Sequence, residues 1–379
     1  MSRILTVLLA LISALAFSAI PLSCAAVPPA ASESDAPAAA PPAASPEEAS
    51  DGAGAVIFMY HRFGEDRYPS TSVRLAQFDA QLDYLAKGGF VVWPLEKIVE
   101  HLAESRPIPD RTVAITIDDA YRSVYTEAYP RLKERGWPFT VFVSTGPVDR
   151  HFNSIMSWDQ LREMSENGAT IANHGVTHSS LAGPGAGETK DEWLGRAKRE
   201  ILDAEKRITE ETGPAPKLFA YPYGEYSRDL AILVAELGYV GFGQQSGPVG
   251  PYSDSRSFSR FPVAEAYADL KDFALKAESL PLPVRSVRPW DPVLPAGERR
   301  PLLELGLAET GAGVIGRVSC FVSGQGRVEV EWTDRGKGLF TVRAPEPLGT
   351  GRARYNCTAP SGRDGRFFWY SHIWIVGRE

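Results

Sequence analysis

Thr112-Val113-Ala114-Ile115-Thr116-Ile117-Asp118-Asp119 is the stretch that decides the fold. The run is strongly apolar, rich in β-branched residues and closed by two carboxylates. It reads as a buried strand that delivers acid side chains to its C-terminal end. Upstream, Val56–Tyr60 is a second such strand. Leu75, Phe78, Leu82 and Leu85 then recur at helical spacing and stop at Gly88-Gly89. A strand at 90–92 and a helix carrying Leu95, Ile98, Val99 and Leu102 complete the approach. Downstream come a helix ending near Gly136, a strand at Phe139–Val143, a helix capped by Ser157 and a strand at 169–172. A long amphipathic helix holds Trp193, Ala197, Ile201, Ala204 and Ile208, followed by strand 217–221, helix 228–237 and strand 239–242. Repeated strand–helix units imply parallel strands with right-handed crossovers, hence a β/α barrel or a doubly wound sheet.

The 379 residues, 44% hydrophobic, can bury a large core and leave room for two domains. A net charge of -7 argues against nucleic acid or anionic lipid as the main partner. Arg3 precedes a continuous apolar run from Ile4 to Ile20, and Ser23-Cys24-Ala25-Ala26 offers small residues for cleavage. Residues 1–26 are therefore expected to be a signal peptide for export to the periplasm or cell surface. An uncleaved membrane anchor, or lipidation of Cys24, stays open; Pro21-Leu22 suits a lipidation signal poorly. Residues 27–54 lack large apolar side chains and read as a disordered Ala/Pro-rich linker.

The catalytic region is expected over 55–284. Prolines become dense around 280–295 (Pro281, Pro283, Pro289, Pro292, Pro295), marking a linker at 285–298. Beyond it helical periods vanish, and 299–379 reads as a small C-terminal β-sandwich. Its Trp332, Phe367, Phe368, Trp369, Tyr370 and Trp374 suit either a sandwich core or sugar stacking. Cys320 and Cys357, an even pair in an exported chain, most simply form a disulfide, with two buried free thiols as the alternative.

The chemistry centres on Asp118, Asp119 and the pair in His174-Gly175-Val176-Thr177-His178. Neighbouring side chains on a strand point apart, so one aspartate can ligate a metal while the other reaches a bound water. Histidines four apart can share a cation across one helical turn. Three protein ligands leave a position open for water, as a hydrolytic site requires. Imidazole and carboxylate donors suit Zn2+, with Ni2+, Co2+ or Fe2+ compatible.

Thr116-Ile117-Asp118-Asp119, His174-x-x-x-His178 and Tyr221-Pro222-Tyr223-Gly224 together resemble the polysaccharide deacetylases of carbohydrate esterase family 4, the NodB-homology group. Met59-Tyr60-His61-Arg62-Phe63 looks like the branch acting on poly-N-acetylglucosamine. The resemblance covers roughly residues 55–265. It implies a distorted (β/α) barrel of seven or eight parallel strands and a metal-dependent removal of acetyl groups from an N-acetylated hexosamine polysaccharide. In that family pattern Asp119, His174 and His178 would hold the metal, and Asp118 would deprotonate the attacking water. The backbone N–H of Tyr223 would help hold the oxyanion.

Two departures stand out. Many members have an arginine where Ala220 stands, and Arg260 could supply that guanidinium from another strand. The late Leu-x-His motif is missing, because no histidine lies between His178 and His372, so the general-acid role falls to His61. These departures also permit a degenerate barrel that only binds glycan. Within enzymes, peptidoglycan deacetylation or O-acetyl ester hydrolysis stays open.

Overall fold

The computed structural model describes residues 54–377, apart from residues 315 and 364. The expected signal peptide, Cys24 and nearly all of the 27–54 linker lie outside the described residues. Among the described residues, no helix is long and apolar enough to cross a membrane.

Seven parallel strands form the main sheet: β1 (Ala55–Tyr60), β2 (Thr112–Asp118), β3 (Phe139–Val143), β4 (Ala169–Asn173), β5 (Leu218–Ala220), β6 (Val240–Phe242) and β7 (Phe261–Pro262). Their spatial order is β7-β1-β2-β3-β4-β5-β6, and Val91–Val92 adds a short parallel partner at the start of β2. The curved sheet does not close through a ladder between β6 and β7. The seam is bridged instead by the segment between them, through Gly243 N–H to Phe258 O (2.9 Å) and Arg260 N–H to Gln245 O (3.0 Å). This is the expected distorted barrel.

Every residue of β2 is buried, as a parallel strand covered on both faces requires. Val113, Ile115 and Ile117 point to the helices and join Phe58, Val141 and Ile171 in the larger core cluster. Ala114, Thr116 and Asp118 therefore face the barrel interior, where Ala114, Ala172 and Ala220 are small and leave room. The helices follow the periodicity read above: Leu75–Lys87, Leu95–Ala103, Trp158–Glu166 (Ser157 Oγ accepts from Gln160 N–H), Lys190–Thr212 and Arg228–Glu236. One helix departs from expectation. After β2, Val124–Ala128 makes a π-helical turn before the α-helix Tyr129–Glu134, where Pro130 has no N–H to give to a regular ladder.

The C-terminal part packs an antiparallel sheet against a mostly antiparallel one around one core. Leu303, Leu305, Phe340 and Val342 of one sheet meet Cys320, Val322, Tyr355, Cys357 and Trp374 of the other. Val284–Arg288 is not a linker: it pairs with Leu302–Leu307 as an edge strand of this sandwich. Likewise Leu280–Pro281 runs along Phe368 and Trp369 at the edge of the other sheet. Edge strands tolerate proline because their outer N–H groups have no ladder to serve. The proline-dense stretch, expected to separate barrel from sandwich, thus contributes edge strands to both sheets of the sandwich.

Cys320 and Cys357 face each other directly across two antiparallel strands and form a disulfide. Closing a loop of 37 residues stabilises the fold by about 4 kcal/mol on the chain-entropy account. Calorimetry should therefore show a Cys320→Ser/Cys357→Ser protein melting well below the parent. An unchanged transition would mean that the cross-link constrains little in the unfolded chain.

A candidate metal centre beside a buried ion pair

Asp118 ends β2 with its side chain fully buried in the barrel interior. The Arg260 guanidinium crosses the interior and forks onto it, Nη1 to Oδ1 at 2.7 Å and Nη2 to Oδ2 at 2.8 Å. Arg260 Nε donates to Gly243 O (3.0 Å), Nη1 also reaches Thr116 Oγ1 (3.2 Å), and Phe142 lies under the guanidinium at 5.2 Å. Burial alone would raise the Asp118 pKa. The Arg260 charge, then His174 and the hydrogen bonds from Arg260, outweigh it and hold the carboxyl below its ordinary value.

One residue later the backbone turns sharply. Asp119 and Ala120 both sit at positive φ (73° and 54°), so the two carboxylates diverge by a left-handed turn and not by strand alternation. Asp119 Oδ1 lies 3.4 Å from His174 Nε2 and 2.9 Å from His178 Nε2. The histidines flank Gly175 in a loop after a strand, and it is this loop, not a helical turn, that brings them together. His174 leaves β4, Gly175 takes φ +79°, and His178 takes φ +58°, so a loop folds the second imidazole back over the first, with 4.9 Å between ring centres.

That loop is held from behind by residues the sequence did not flag. Glu200, on the long helix Lys190–Thr212, accepts the N–H groups of Val176 and Thr177 and the hydroxyl of Thr177, each at 2.9 Å. Asn173 Oδ1 accepts the Gly175 N–H (2.9 Å), while its amide donates to Ile201 O on the same helix (2.8 Å). A Cβ on Gly175 would stand 3.3 Å from Glu200 Oε2, at a backbone angle that side chains avoid.

The three donors fit a divalent cation. Asp119 Oδ1 and His174 Nε2 are buried and make no hydrogen bond, although both approach other polar atoms closely. His174 Nδ1 lies 2.7 Å from Ala220 O and can only donate there, which leaves the Nε2 lone pair directed at Asp119 and His178. The ligand atoms all lie within 4.8 Å of one another. Separations of 2.9–3.4 Å are close to the roughly 3.3 Å between donors on a tetrahedral ion at ~2.0–2.1 Å. Burial works to raise the Asp119 pKa, but His174, His178 and His61 hold it well below the carboxylate range.

His61 follows β1 and is half-buried at this rim. Burial lowers its pKa, against the opposing pull of Asp119 and Asp118. Tyr223 sits in a tight turn at φ 59°, its ring edge-on to His178 with centres 4.6 Å apart. Gly224, next in that turn, presses on Gln244 so closely that a Cβ would come within 2.5 Å of it. Two further groups escaped the sequence reading. Tyr121 brings its phenol toward Asp119, and burial and then that charge raise its pKa. Arg352, from the sandwich strand Gly351–Pro360, donates to Tyr223 O and approaches Glu225 at 3.8 Å. Tyr121 lies only two residues from Asp119 yet belongs to no motif that marks it, and Arg352 acts across a long sequence separation. His101 instead bonds Pro107 O, and His151 lies exposed in a turn.

A parallel barrel with a guanidinium-clamped carboxylate beside an Asp/His/His cluster is the scaffold of a hydrolytic enzyme. Residues 105–242 match the polysaccharide deacetylase family, and the chain carries a polysaccharide deacetylase domain. It is similar to YxkH of Bacillus subtilis (strain 168), whose name provisionally calls it a polysaccharide deacetylase: 24% identity over 183 residues, 48% of this chain and 61% of that one. The chain thus spans about three fifths of that relative. It is 24% identical over 213 residues to the poly-β-1,6-N-acetyl-D-glucosamine N-deacetylase of Staphylococcus aureus (strain MRSA252), covering 55% of this chain and 73% of that protein. Among solved structures it is similar to IcaB from Ammonifex degensii, with a TM-score of 0.52 and 26% identity over 60% of this chain and 97% of that one.

Two outcomes check this architecture. Replacing Glu200 by Ala should free the His174–His178 loop and weaken retention of a divalent cation about 10- to 100-fold, read by competition with a chromogenic chelator. Arg260→Ala should cost about 3–5 kcal/mol in denaturant unfolding, because it strands Asp118 as a buried, unpaired carboxylate. Unaltered retention or unaltered stability would show that these contacts carry little energy.

Proposed function

We propose that this protein hydrolyses acetamido groups on an N-acetylated hexosamine polysaccharide, poly-β-1,6-N-acetylglucosamine being the polymer named for the S. aureus relative. One observation carries the reading: Asp118, held ionised by Arg260, stands beside the orphaned donors Asp119 Oδ1 and His174 Nε2. An amide resists hydrolysis, so its cleavage needs a strengthened nucleophile, charge stabilisation at the carbonyl oxygen and a proton for the leaving nitrogen. Asp119, His174 and His178 would hold the cation, zinc best fitting the donor set, with nickel, cobalt or iron admissible. Such an ion supplies a water of lowered pKa and an electrophile for the carbonyl.

The remaining roles fall to the chain itself. Asp118 takes the proton from the attacking water, and Arg260 keeps its carboxylate ionised and fixed in direction. The Tyr223 N–H, presented by a turn that Gly224 and Arg352 lock, donates to the developing oxyanion. His61 shares the field of both aspartates and is assigned the delivery of a proton to the leaving amine. The Cys320–Cys357 bridge supports an exported location, since such cross-links persist in oxidising compartments.

Acetate release from β-1,6-linked N-acetylglucosamine oligomers tests the reading. Asp118→Asn should lower turnover by at least a thousandfold while cation content stays at the parent level. His61→Ala should cost about 10²- to 10⁴-fold in kcat. Arg352→Ala should lower kcat several-fold more than it changes KM, because the oxyanion donor loses its brace. Cation uptake without acetate release from any acetylated glycan would sink the proposal.

A further inference from the structure

Strand Gly351–Pro360 of the sandwich lies outside the stretch that matches the deacetylase family, yet it reaches the rim. Arg352 and Arg354 share one face of it, because alternate residues of a strand point the same way. Arg352 Nη1 donates to Tyr223 O and to Gln244 Oε1 (3.5 Å), and Arg354 Nη2 donates to Gln244 O (3.2 Å). Among the described residues Arg352 Nη2 makes no hydrogen bond, and the side chain stays 38% exposed.

Two exposed rings stand at the ends of this ledge. Tyr223, 43% exposed, sits edge-on to His178. Tyr267, at 58%, is the most exposed large apolar side chain among the described residues. It belongs to the turn Glu265–Tyr267, which follows β7, a strand parallel to β1. Tyr267 therefore stands on the same face of the barrel as Asp119, His178 and Tyr223, each of which follows a parallel strand. Lys276 braces the turn from one side, donating to Tyr267 O (2.9 Å) with its ammonium 5.4 Å from the ring centre. Tyr267 also reaches the ledge electrostatically. Burial and then the like charge of Arg352 lower the Arg354 pKa, and the Tyr267 phenol pulls it the other way.

A flat ring gives the C–H face of a pyranose an apolar surface, and guanidinium N–H groups donate to its oxygens. Charge decides which pyranose fits. The ledge carries two guanidinium groups and one nearby carboxylate, Glu225, whose Oε1 lies 3.8 Å from Arg352 Nε. The other Glu225 oxygen already accepts the Ser180 hydroxyl (2.7 Å). Glu265, two residues before Tyr267, is turned to Arg74 at 3.6 Å. A neutral acetamido sugar meets hydrogen-bond donors there, whereas a protonated amine meets an excess of positive charge.

We infer that the sandwich completes the substrate cleft: Arg352, Arg354 and the Tyr267 ring form a subsite for the hexosamine residue adjoining the one deacetylated, and this subsite favours an acetylated neighbour over a free-amine one. The identity of the sugar rests on the deacetylase reading above; the ledge itself does not. Turnover then slows beside an amine already made, and product amines are spaced along the polymer.

The test uses the full chain and four probes. They are the methyl glycoside of N-acetylglucosamine, its β-1,6-linked pentamer, and two trimers acetylated at the central residue, with outer residues either acetylated or free amines. Tyr267→Ala should raise KM for the pentamer at least fivefold, keep kcat within twofold, and treat the methyl glycoside as the parent does. Tyr267→Phe, which keeps the ring, should stay within twofold of the parent KM. Truncating an exposed ring leaves the core untouched, so folding does not confound the comparison. The parent should act on the central acetamide at least fivefold better, in kcat/KM, when the outer residues are acetylated. That ratio should fall at least twofold in Arg352→Gln; because it is taken within one protein, any loss of the Tyr223 brace cancels. A pentamer KM within twofold of the parent in Tyr267→Ala would overturn the subsite. Equal kcat/KM for the two trimers, or a ratio unchanged in Arg352→Gln, would overturn its selectivity. Calorimetry of the pentamer with Asp118→Asn protein separates the two readings. If Tyr267→Ala weakens that binding at least fivefold while the parent releases no acetate from any probe, the deacetylase reading falls and the subsite stands.

Discussion

The Arg260–Asp118 pair is the contact on which the barrel's open seam and the fixed direction of Asp118 both depend. Both side chains are withdrawn from water completely, at a desolvation cost of several kcal/mol for each ion. What offsets that cost is geometry. Two parallel N–H···O contacts bind the carboxylate, and Gly243 O and Thr116 Oγ1 satisfy further guanidinium donors. A lysine could not make the fork, and a protonated carboxyl would break it. The pair therefore fixes both the charge and the direction of Asp118. It also staples the barrel where the backbone ladder fails, because Arg260 belongs to β7's approach while Gly243 follows β6. One ion pair thus serves closure of the fold and holds the Asp118 carboxylate ionised in one direction.

Around that fixed point the site is built from backbone in uncommon conformations. Asp119, Ala120, His178 and Tyr223 all lie at positive φ without being glycine. Each such residue costs of order 1–3 kcal/mol and persists only where its surroundings over-determine it. Those surroundings are identifiable. Asp119 N–H bonds to Phe142 O on β3, Glu200 grips the histidine loop, and Arg352 holds the Tyr223 carbonyl. Rigid strands and one long helix therefore carry the strain, while Asp119, His178 and Tyr223 sit on the turns they brace.

How much of this the sequence disclosed follows from how local each signal was. The β2 strand, the helix periods and the Asp118-Asp119/His174-x-x-x-His178 spacing are short-range patterns, and each lies where its residue pattern indicated. Arg260 was legible only as a position after a loop, and its target came from comparing the chain with a family pattern that carries an arginine where this chain has Ala220. Glu200 and Asn173 were invisible because a carboxylate on an amphipathic helix normally faces water; only the crossing of Lys190–Thr212 behind β4 turns Glu200 into a loop anchor. The proline-dense stretch misled for a related reason. Proline signals a break in most contexts, yet at a sheet edge it removes nothing that the ladder needs.

The sandwich can be understood in the same terms. Its strand Gly351–Pro360 alternates cleanly, with Ala353, Tyr355, Cys357 and Ala359 buried in the core. That alternation leaves Arg352 and Arg354 on the opposite face. There Arg352 meets Tyr223 O and Arg354 meets Gln244 O. Gln244 in turn packs against Gly224, and the adjacent Gln245 carbonyl holds the Arg260 backbone. A strand register set by a hydrophobic core and a disulfide is thereby transmitted, through two arginines, to the turn that presents Tyr223 and to the segment that positions Arg260. A one-residue slip of that strand would invert its faces, bury both guanidinium groups and remove both contacts at once. The C-terminal sheets are for that reason part of the machinery that shapes the rim.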